Sequence, residues 1–352
     1  MAVYILNLVL ILLFSLLIRG IPVFRNKQGK VLCIIIGIQL FLTAALRSTS
    51  VGGDLAAYIP NYIRLESVGW DEIFVGRLEP GYTLLNKILS VFSTDERLLL
   101  VATSGIVVSG FTIFIYKNSR IPWLSLFLFV GMGFYTISLS MLRQAIAITL
   151  TLWSIQYVEK RSFIKFFGVV FIAILFHYTA IIFLILYPIS KFKVTWGYFI
   201  SMLAIAFVLS QLIGRFFILV VIEKYYSLYE GQMTGGTGYN MLLLLTTITC
   251  TGLLLWKTNK EEAQKKSVFN HMMILACCFQ FMALHFGLFA RIVMYFSVSM
   301  LIFIPNALSC VKIKDLKVFG ILTLCGLVFC YFVLIVLGKD TSGILPFLFM
   351  WE

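Results

Sequence analysis

The sequence predicts an all-α, polytopic integral membrane protein of about twelve transmembrane helices, with a range of eleven to thirteen. Three observations carry that expectation. Of the 352 residues, 61% are hydrophobic and only 12% are charged, and the mean hydropathy is +1.00, more apolar surface than an aqueous fold can hide. The apolar residues fall in blocks close to the ~20 that a spanning helix requires, separated by short charged loops. Those loops, taken alternately, sort by charge.

Helices are predicted near 3–18, 31–46, 98–116, 123–138, 141–157, 163–176, 178–190, 195–213, 240–256, 268–284, 291–310 and 318–338. One alternate set of loops then holds eighteen basic residues against Glu159, Glu261, Glu262 and Asp315. Its basic members include Arg19, Arg25, Lys27, Lys30, Lys117, Arg120, Lys312, Lys314 and Lys317. Everything else in the chain is nearly balanced, although the whole carries a net charge of +13. The positive-inside rule makes the basic loops cytoplasmic and puts both termini outside. The surplus is therefore a topology signal, and no nucleic-acid partner is needed to explain it. The first block, Ala2 to Ile18, has no basic residue before it and no small-residue cleavage site after it, so it reads as a retained helix and not a secretion signal. All seven cysteines lie inside apolar blocks, where packing is the expected role and neither disulfides nor a metal site is implied.

The chain reads as one transmembrane domain, 1–352, with no room for a separate soluble domain. Two of its extracytoplasmic loops, about 47–97 and 214–239, are too long or too polar to be simple turns. In the first, Glu79-Pro80-Gly81-Tyr82 opens a stretch with Leu84, Leu85, Ile88, Leu89 and Phe92 on one helical face. Pro80 suits the first turn, and a surface or re-entrant amphipathic helix is expected. The second loop contains Glu230 and the run from Gly231 to Gly238, a flexible stretch suited to a gate. It is not a P-loop, because no Gly-Lys-Ser/Thr follows.

Ionisable groups at the ends of spans are costly unless paired or working. Arg143 stands at the outer start of an otherwise uncharged helix, Arg291 at the outer start of another, and His177 at the outer turn between two closely linked helices. Each has a plainer reading, as a snorkelling anchor or a hydrogen-bonded packing residue. Arg47 and Asp54 flank a Ser/Thr/Gly turn and Tyr58 follows, for which a local ion pair is the plain alternative; Glu79 is a candidate helix cap. Arg47, Asp54, Glu79, Arg143, His177, Glu230 and Arg291 nevertheless all fall on the one side that the basic loops avoid. Arginines beside a histidine and carboxylates suit an anionic phosphate or pyrophosphate, with the histidine or a carboxylate as general base. No Asp-x-Asp pair or metal cluster is evident, so chemistry without metal or cofactor is expected. A site outside the cell also excludes nucleotide sugars as direct donors and favours a lipid-linked one.

Several motifs resemble the EpsG family of Wzy-type polysaccharide polymerases. They are Arg47-Ser48 with Val51-Gly52-Gly53-Asp54 and Tyr58; Glu79-Pro80-Gly81-Tyr82; Leu142-Arg143-Gln144-Ala145-Ile146-Ala147; and Phe176-His177-Tyr178-Thr179-Ala180. Arg291 ahead of Tyr295-Phe296, and Leu345-Pro346-Phe347, continue the pattern in order over residues 40 to 350; a glycine at 53, in place of a small polar residue, departs from it. The resemblance implies a membrane-integral glycosyltransferase at the outer face of the bacterial cytoplasmic membrane. It would join oligosaccharide repeat units carried on undecaprenyl pyrophosphate, in contact with membrane lipid and with a possible chain-length regulator protein. It also implies roles: Arg143, Arg291 and Arg47 for the pyrophosphate, His177 as base with Asp54 or Glu79 as competitors, and Tyr58, Tyr82 and Gln144 for sugar. An O-antigen ligase would use the same donor but usually carries a larger periplasmic loop. A flippase or exporter of the lipid-linked oligosaccharide would place its ionisable residues along helix interiors, and a membrane O-acyltransferase would need its histidine on a route from a cytoplasmic acyl donor.

Overall fold

The computed structural model describes residues 1–24, 26–75, 78–217, 238–256 and 267–352. Among them the chain is helical throughout, with no strand. The glycine-rich run expected to suit a gate, and the candidate Glu230, lie outside the described residues apart from Gly238.

The first helices are α1 (Ala2–Gly20), α2 (Gln28–Ala45), α3 (Leu55–Ser67), α4 (Pro80–Phe92), α5 (Glu96–Asn118), α6 (Pro122–Gly131), α7 (Phe134–Ser140), α8 (Leu142–Glu159) and α9 (Phe163–Phe176). A 3-10 segment, Tyr178–Ile185, leads into α10 (Leu186–Ile189) and α11 (Trp196–Phe217). Then come α12 (Tyr239–Trp256), α13 (Ser267–Ala283), α14 (Leu288–Ser297), α15 (Met300–Ser309) and α16 (Lys314–Tyr331). Helical segments thus occupy all twelve predicted positions. The number of crossings is a separate matter. Six helices among the described residues are long and apolar enough to span, and a seventh span arises if α6 and α7, bent by 50°, count as one. Two of the other apolar segments, Phe163–Phe176 and Tyr178–Ile189, run to only 10–17 residues, below the ~20 a straight crossing needs.

The chain forms two compact units. One comprises Met1–Trp153, Phe171–Tyr178 and Ile313–Glu352; the other comprises Ser154–Val170 and Thr179–Lys312. In the second, α13 packs against α11, α12, α14 and α15, around Phe199, Ala206, Leu253, Ile274 and Cys278. Phe296 stacks on Phe183 and Phe279, at 5.5 and 5.3 Å between ring centroids.

In the first unit, α2 packs on α1, α5 and α6, and α3 on α4 and α5. Close approach is bought by small residues: a Cβ at Gly110 would stand 2.1 Å from the Thr149 methyl. The α6–α7 bend sits at Gly133, whose φ of 83° is left-handed. Helix α4 inverts the soluble pattern. It buries Tyr82, Thr83, Asn86, Lys87 and Ser90, while Leu84, Ile88, Val91 and Phe92 are exposed. Lys87 Nζ caps the end of α3, donating to the Leu65, Glu66 and Val68 carbonyls at 2.8, 3.2 and 2.8 Å.

The 46–53 turn and the C-terminal segment are joined by backbone hydrogen bonds: Ser48 N to Leu348 O at 2.9 Å, Met350 N to Leu46 O at 2.9 Å, and Gly52 N to Gly343 O at 2.8 Å. Tyr4 at the start of α1 donates to the Ile344 carbonyl at 3.2 Å. These three segments therefore meet at one end of the unit. Gly52 has φ 126°, and a Cβ there would lie 2.6 Å from the Leu139 carbonyl oxygen, so the turn requires glycine twice over. Gly53 has no such requirement, since a Cβ would meet only ordinary contacts.

Arg47 ties the turn together. It is only 1% exposed, and every guanidinium nitrogen already donates: Nε to Val51 O at 3.2 Å, Nη2 to Leu139 O at 3.1 Å, and Nη1 to Ser104 Oγ at 3.2 Å and to the Ala44 carbonyl. Removing the cation strands several buried carbonyls. Arg47→Met is expected to destabilise the protein by about 3 kcal/mol, read as earlier thermal unfolding in detergent, and Arg47→Lys should recover little of it because a single ammonium lacks the guanidinium fork. Unchanged unfolding in Arg47→Met would refute this role.

Candidate functional site

Near the same end of the first unit, three chain segments far apart in sequence converge on one carboxylate. Glu79 occupies the N-cap position of α4, with Pro80 following as the first helical residue, but its side chain does not cap the helix. Instead one carboxylate oxygen, Oε2, accepts from Arg143 Nη1, and the other, Oε1, lies 2.8 Å from His177 Nδ1. The carboxylate is 4% exposed, the histidine ring 12% and the arginine side chain 21%. Glu79 is thus a bridge with one oxygen for each partner.

Local structure explains how the three meet. Arg143 lies in the first turn of α8, which restarts after α7 ends at Ser140. His177 follows the last residue of α9 and its amide still bonds to Ala173 O at 3.0 Å. The approach of α4 to α9 depends on Gly81: a Cβ there would stand 2.8 Å from Leu175 O and 2.9 Å from Leu175 Cβ. A side chain at 81 would push Glu79 away from the histidine two residues beyond Leu175.

Tyr58 supports the arginine from α3. Its hydroxyl is 3.4 Å from Arg143 Nε, and the guanidinium carbon lies 5.2 Å from the ring centroid, a cation–π contact. Tyr58 packs edge-on to Tyr82 at 5.6 Å and donates a long hydrogen bond of 3.5 Å to Asp54 Oδ2. The Asp54 amide in turn donates to Ser140 Oγ at 3.2 Å. Both rings are buried, Tyr58 at 5% and Tyr82 at 0% exposed.

The charges act in opposite directions on these groups. Burial by itself would raise the Glu79 carboxyl, but the hydrogen bond to His177 and the Arg143 guanidinium outweigh it and hold the group below the ordinary carboxylate range. Burial raises the Tyr58 phenol, only partly offset by Arg143, so it stays neutral at physiological pH. His177 Nε2 is buried and has no hydrogen-bond partner among the described residues. Nδ1 faces the carboxylate, and Nε2 is the ring nitrogen turned away from it.

The structure therefore brings Glu79, Arg143, His177, Tyr58, Tyr82 and Asp54 together. Arg47 stands beneath this end with its donors already occupied, and Gln144 is buried in α8 next to Arg143. Arg291 is exposed on α14, in the second unit. Ser140, which holds Asp54, was not singled out from sequence; its only signal was a small polar residue just before the α8 motif. No group of three or more His, Cys, Asp or Glu side chains suited to a metal occurs among the described residues.

A membrane-embedded helical protein with an Arg-Glu-His cluster at one end of its helices is the class that this fold and site define. The EpsG family profile matches residues 30–349, and the chain belongs to the EpsG family, whose members are Wzy-like polysaccharide polymerases. Neither the curated proteins nor the solved structures yield a match.

Because the Glu79 carboxyl titrates lower in the folded state than in the unfolded chain, it contributes stability that is complete above the ordinary carboxylate pKa of about 4.3 and is lost as pH falls through the lowered folded value. Thermal unfolding measured downward from pH 6 should show a steeper acid loss in the native protein than in Glu79→Gln. Parallel curves for the two would refute the bridge.

Proposed function

We propose that the Arg143–Glu79–His177 cluster is the reacting centre of a polysaccharide polymerase that acts outside the cytoplasmic membrane on glycans carried by undecaprenyl pyrophosphate. The observation that carries this reading is the bridging carboxylate, which orients His177 through Nδ1 and leaves Nε2 without a partner. His177 Nε2 takes the proton of an acceptor sugar hydroxyl as that oxygen bonds to the anomeric carbon of the growing glycan. The bond from that carbon to the pyrophosphate oxygen breaks, and the lipid pyrophosphate leaves with the electron pair. Arg143, one-fifth exposed beside the carboxylate, offsets the charge that develops on the leaving group.

Glu79 is a positioning residue in this scheme, a reading supported by both its oxygens facing protein partners. Asp54, further out on Tyr58, remains the competitor. Tyr58 and Tyr82, both buried, serve the arginine in this scheme, Tyr58 through its ring and hydroxyl and Tyr82 by packing against Tyr58. Arg47 acts through the turn that carries Asp54. The proposals of Arg291 as a second pyrophosphate ligand and of Gln144 as a sugar contact rest on sequence alone, as do the bacterial location, the outward-facing termini, a twelve-span topology and a chain-length regulator as partner. The exposed apolar face of α4 suits burial in the interfacial layer of the membrane, beside which a polyprenyl donor would approach.

In cells lacking the gene, complementation with His177→Ala is expected to cut polymerisation about 10²- to 10⁴-fold, and with Arg143→Ala by about 10²- to 10³-fold, at normal membrane levels. Gel profiles of surface glycan should show long chains lost while single repeat units still reach the surface. Loss of single units as well would point to an exporter or ligase, and normal chain lengths would return both residues to structural roles.

A further inference from the structure

At the other end of the first unit, the start of α2, the end of α1, the α5–α6 turn and the start of α16 enclose a cavity of about 570 Å³. Arg19, Arg120, Lys314 and Lys317 line it, and no carboxylate does among the described residues. Trp123 also lines it, and its indole Nε1 is buried without a hydrogen-bond partner among the described residues. The Arg19 guanidinium carbon lies 5.8 Å from the Trp123 ring centroid. These residues come from three separate basic loops. A topology signal requires only that each loop be basic, and does not require cations from separate loops, Arg19 with Lys314 and Lys317, to share a cavity of ligand size.

We propose that this cavity binds the phosphate of an anionic membrane phospholipid. Donors alone line its charged part, as a phosphate diester demands. Ser15 and Gln28 add two neutral polar groups, and the other walls are apolar and include Leu32, Ile321 and Leu322. Along α16 they continue onto an open hydrocarbon face, where Leu322 is 65% and Phe319 67% exposed. A soluble anion would use the cations but gain nothing from that face, whereas a lipid lays its acyl chains along it. Tryptophan and basic side chains at a helix end are also the anchors expected at a membrane interface, and basic pockets between helices at the cytoplasmic side suit anionic headgroups. The cavity shares no residue with the Arg143–Glu79–His177 cluster, so the proposal stands independently of the proposed reaction.

Native mass spectrometry of the purified full-length protein tests it, with phosphatidylglycerol, phosphatidylcholine and inorganic phosphate as probes. Phosphatidylglycerol should be retained preferentially. Lys314→Gln/Lys317→Gln should weaken that binding about thirtyfold, two charges at about 1 kcal/mol each. Trp123→Phe keeps the ring, removes the unused donor and should weaken it about fivefold. Equal retention of phosphatidylcholine would overturn the proposal, as would unchanged phosphatidylglycerol binding in variants that unfold at the native temperature. Inorganic phosphate displacing the lipid at equal concentration would assign the cavity to a soluble anion and overturn the lipid assignment.

Discussion

A carboxylate taken out of water is among the most expensive groups a protein can bury, and Glu79 is tolerable only because each of its oxygens faces a cationic or hydrogen-bonding partner. That requirement draws the N-terminus of α4, the first turn of α8 and the end of α9 to one point. The surrounding choices then follow. Gly81 must lack a side chain for α4 to come close to Leu175, and Tyr58 must lie beneath Arg143 to share the guanidinium. The α7–α8 break must place residue 143 at the start of a helix, where a long side chain can turn back toward α4. Separating any one of the three segments would leave a buried charge without its partner.

Around this cluster the first unit settles its remaining polar groups by the same rule. Hydrocarbon accepts no hydrogen bonds, so polar backbone must be satisfied within the protein. Arg47 takes up the loose carbonyls of the 46–53 turn, and Lys87 does so at the end of α3. The resemblance assigned Arg47 to a pyrophosphate, yet it and Lys87 both end as internal caps. The polar face of α4 turns inward for the same reason and its leucines turn out. Amphipathicity predicts that such a helix has two faces, and the surrounding solvent decides which of them is hidden.

The two ends of this unit differ in kind. One holds a compact constellation in which opposite charges cancel, suited to reacting with a substrate whose charge changes during the reaction. The other gathers cations, with no carboxylate among the described lining residues. Helices α1, α2, α5 and α16 run between them, so the two ends of one helical unit carry different charge environments.

The sequence by itself determined the helical class, the placement of the helical segments and the family, and it offered Glu79, Arg143 and His177 only among seven candidates on one side, because hydropathy, charge alternation and short motifs are local properties. It did not determine that Glu79 would bridge the other two, that Arg47 would be consumed by carbonyls, that Tyr58 and Tyr82 would be buried, or that α6 and α7 would be bent by 50° at their junction. Nor did it show that Arg19, Arg120, Lys314 and Lys317 share a cavity. Those are tertiary decisions: they depend on which segments meet across distances such as the 98 residues between Glu79 and His177, and a buried hydrogen bond exists only when both partners have been carried to the same place.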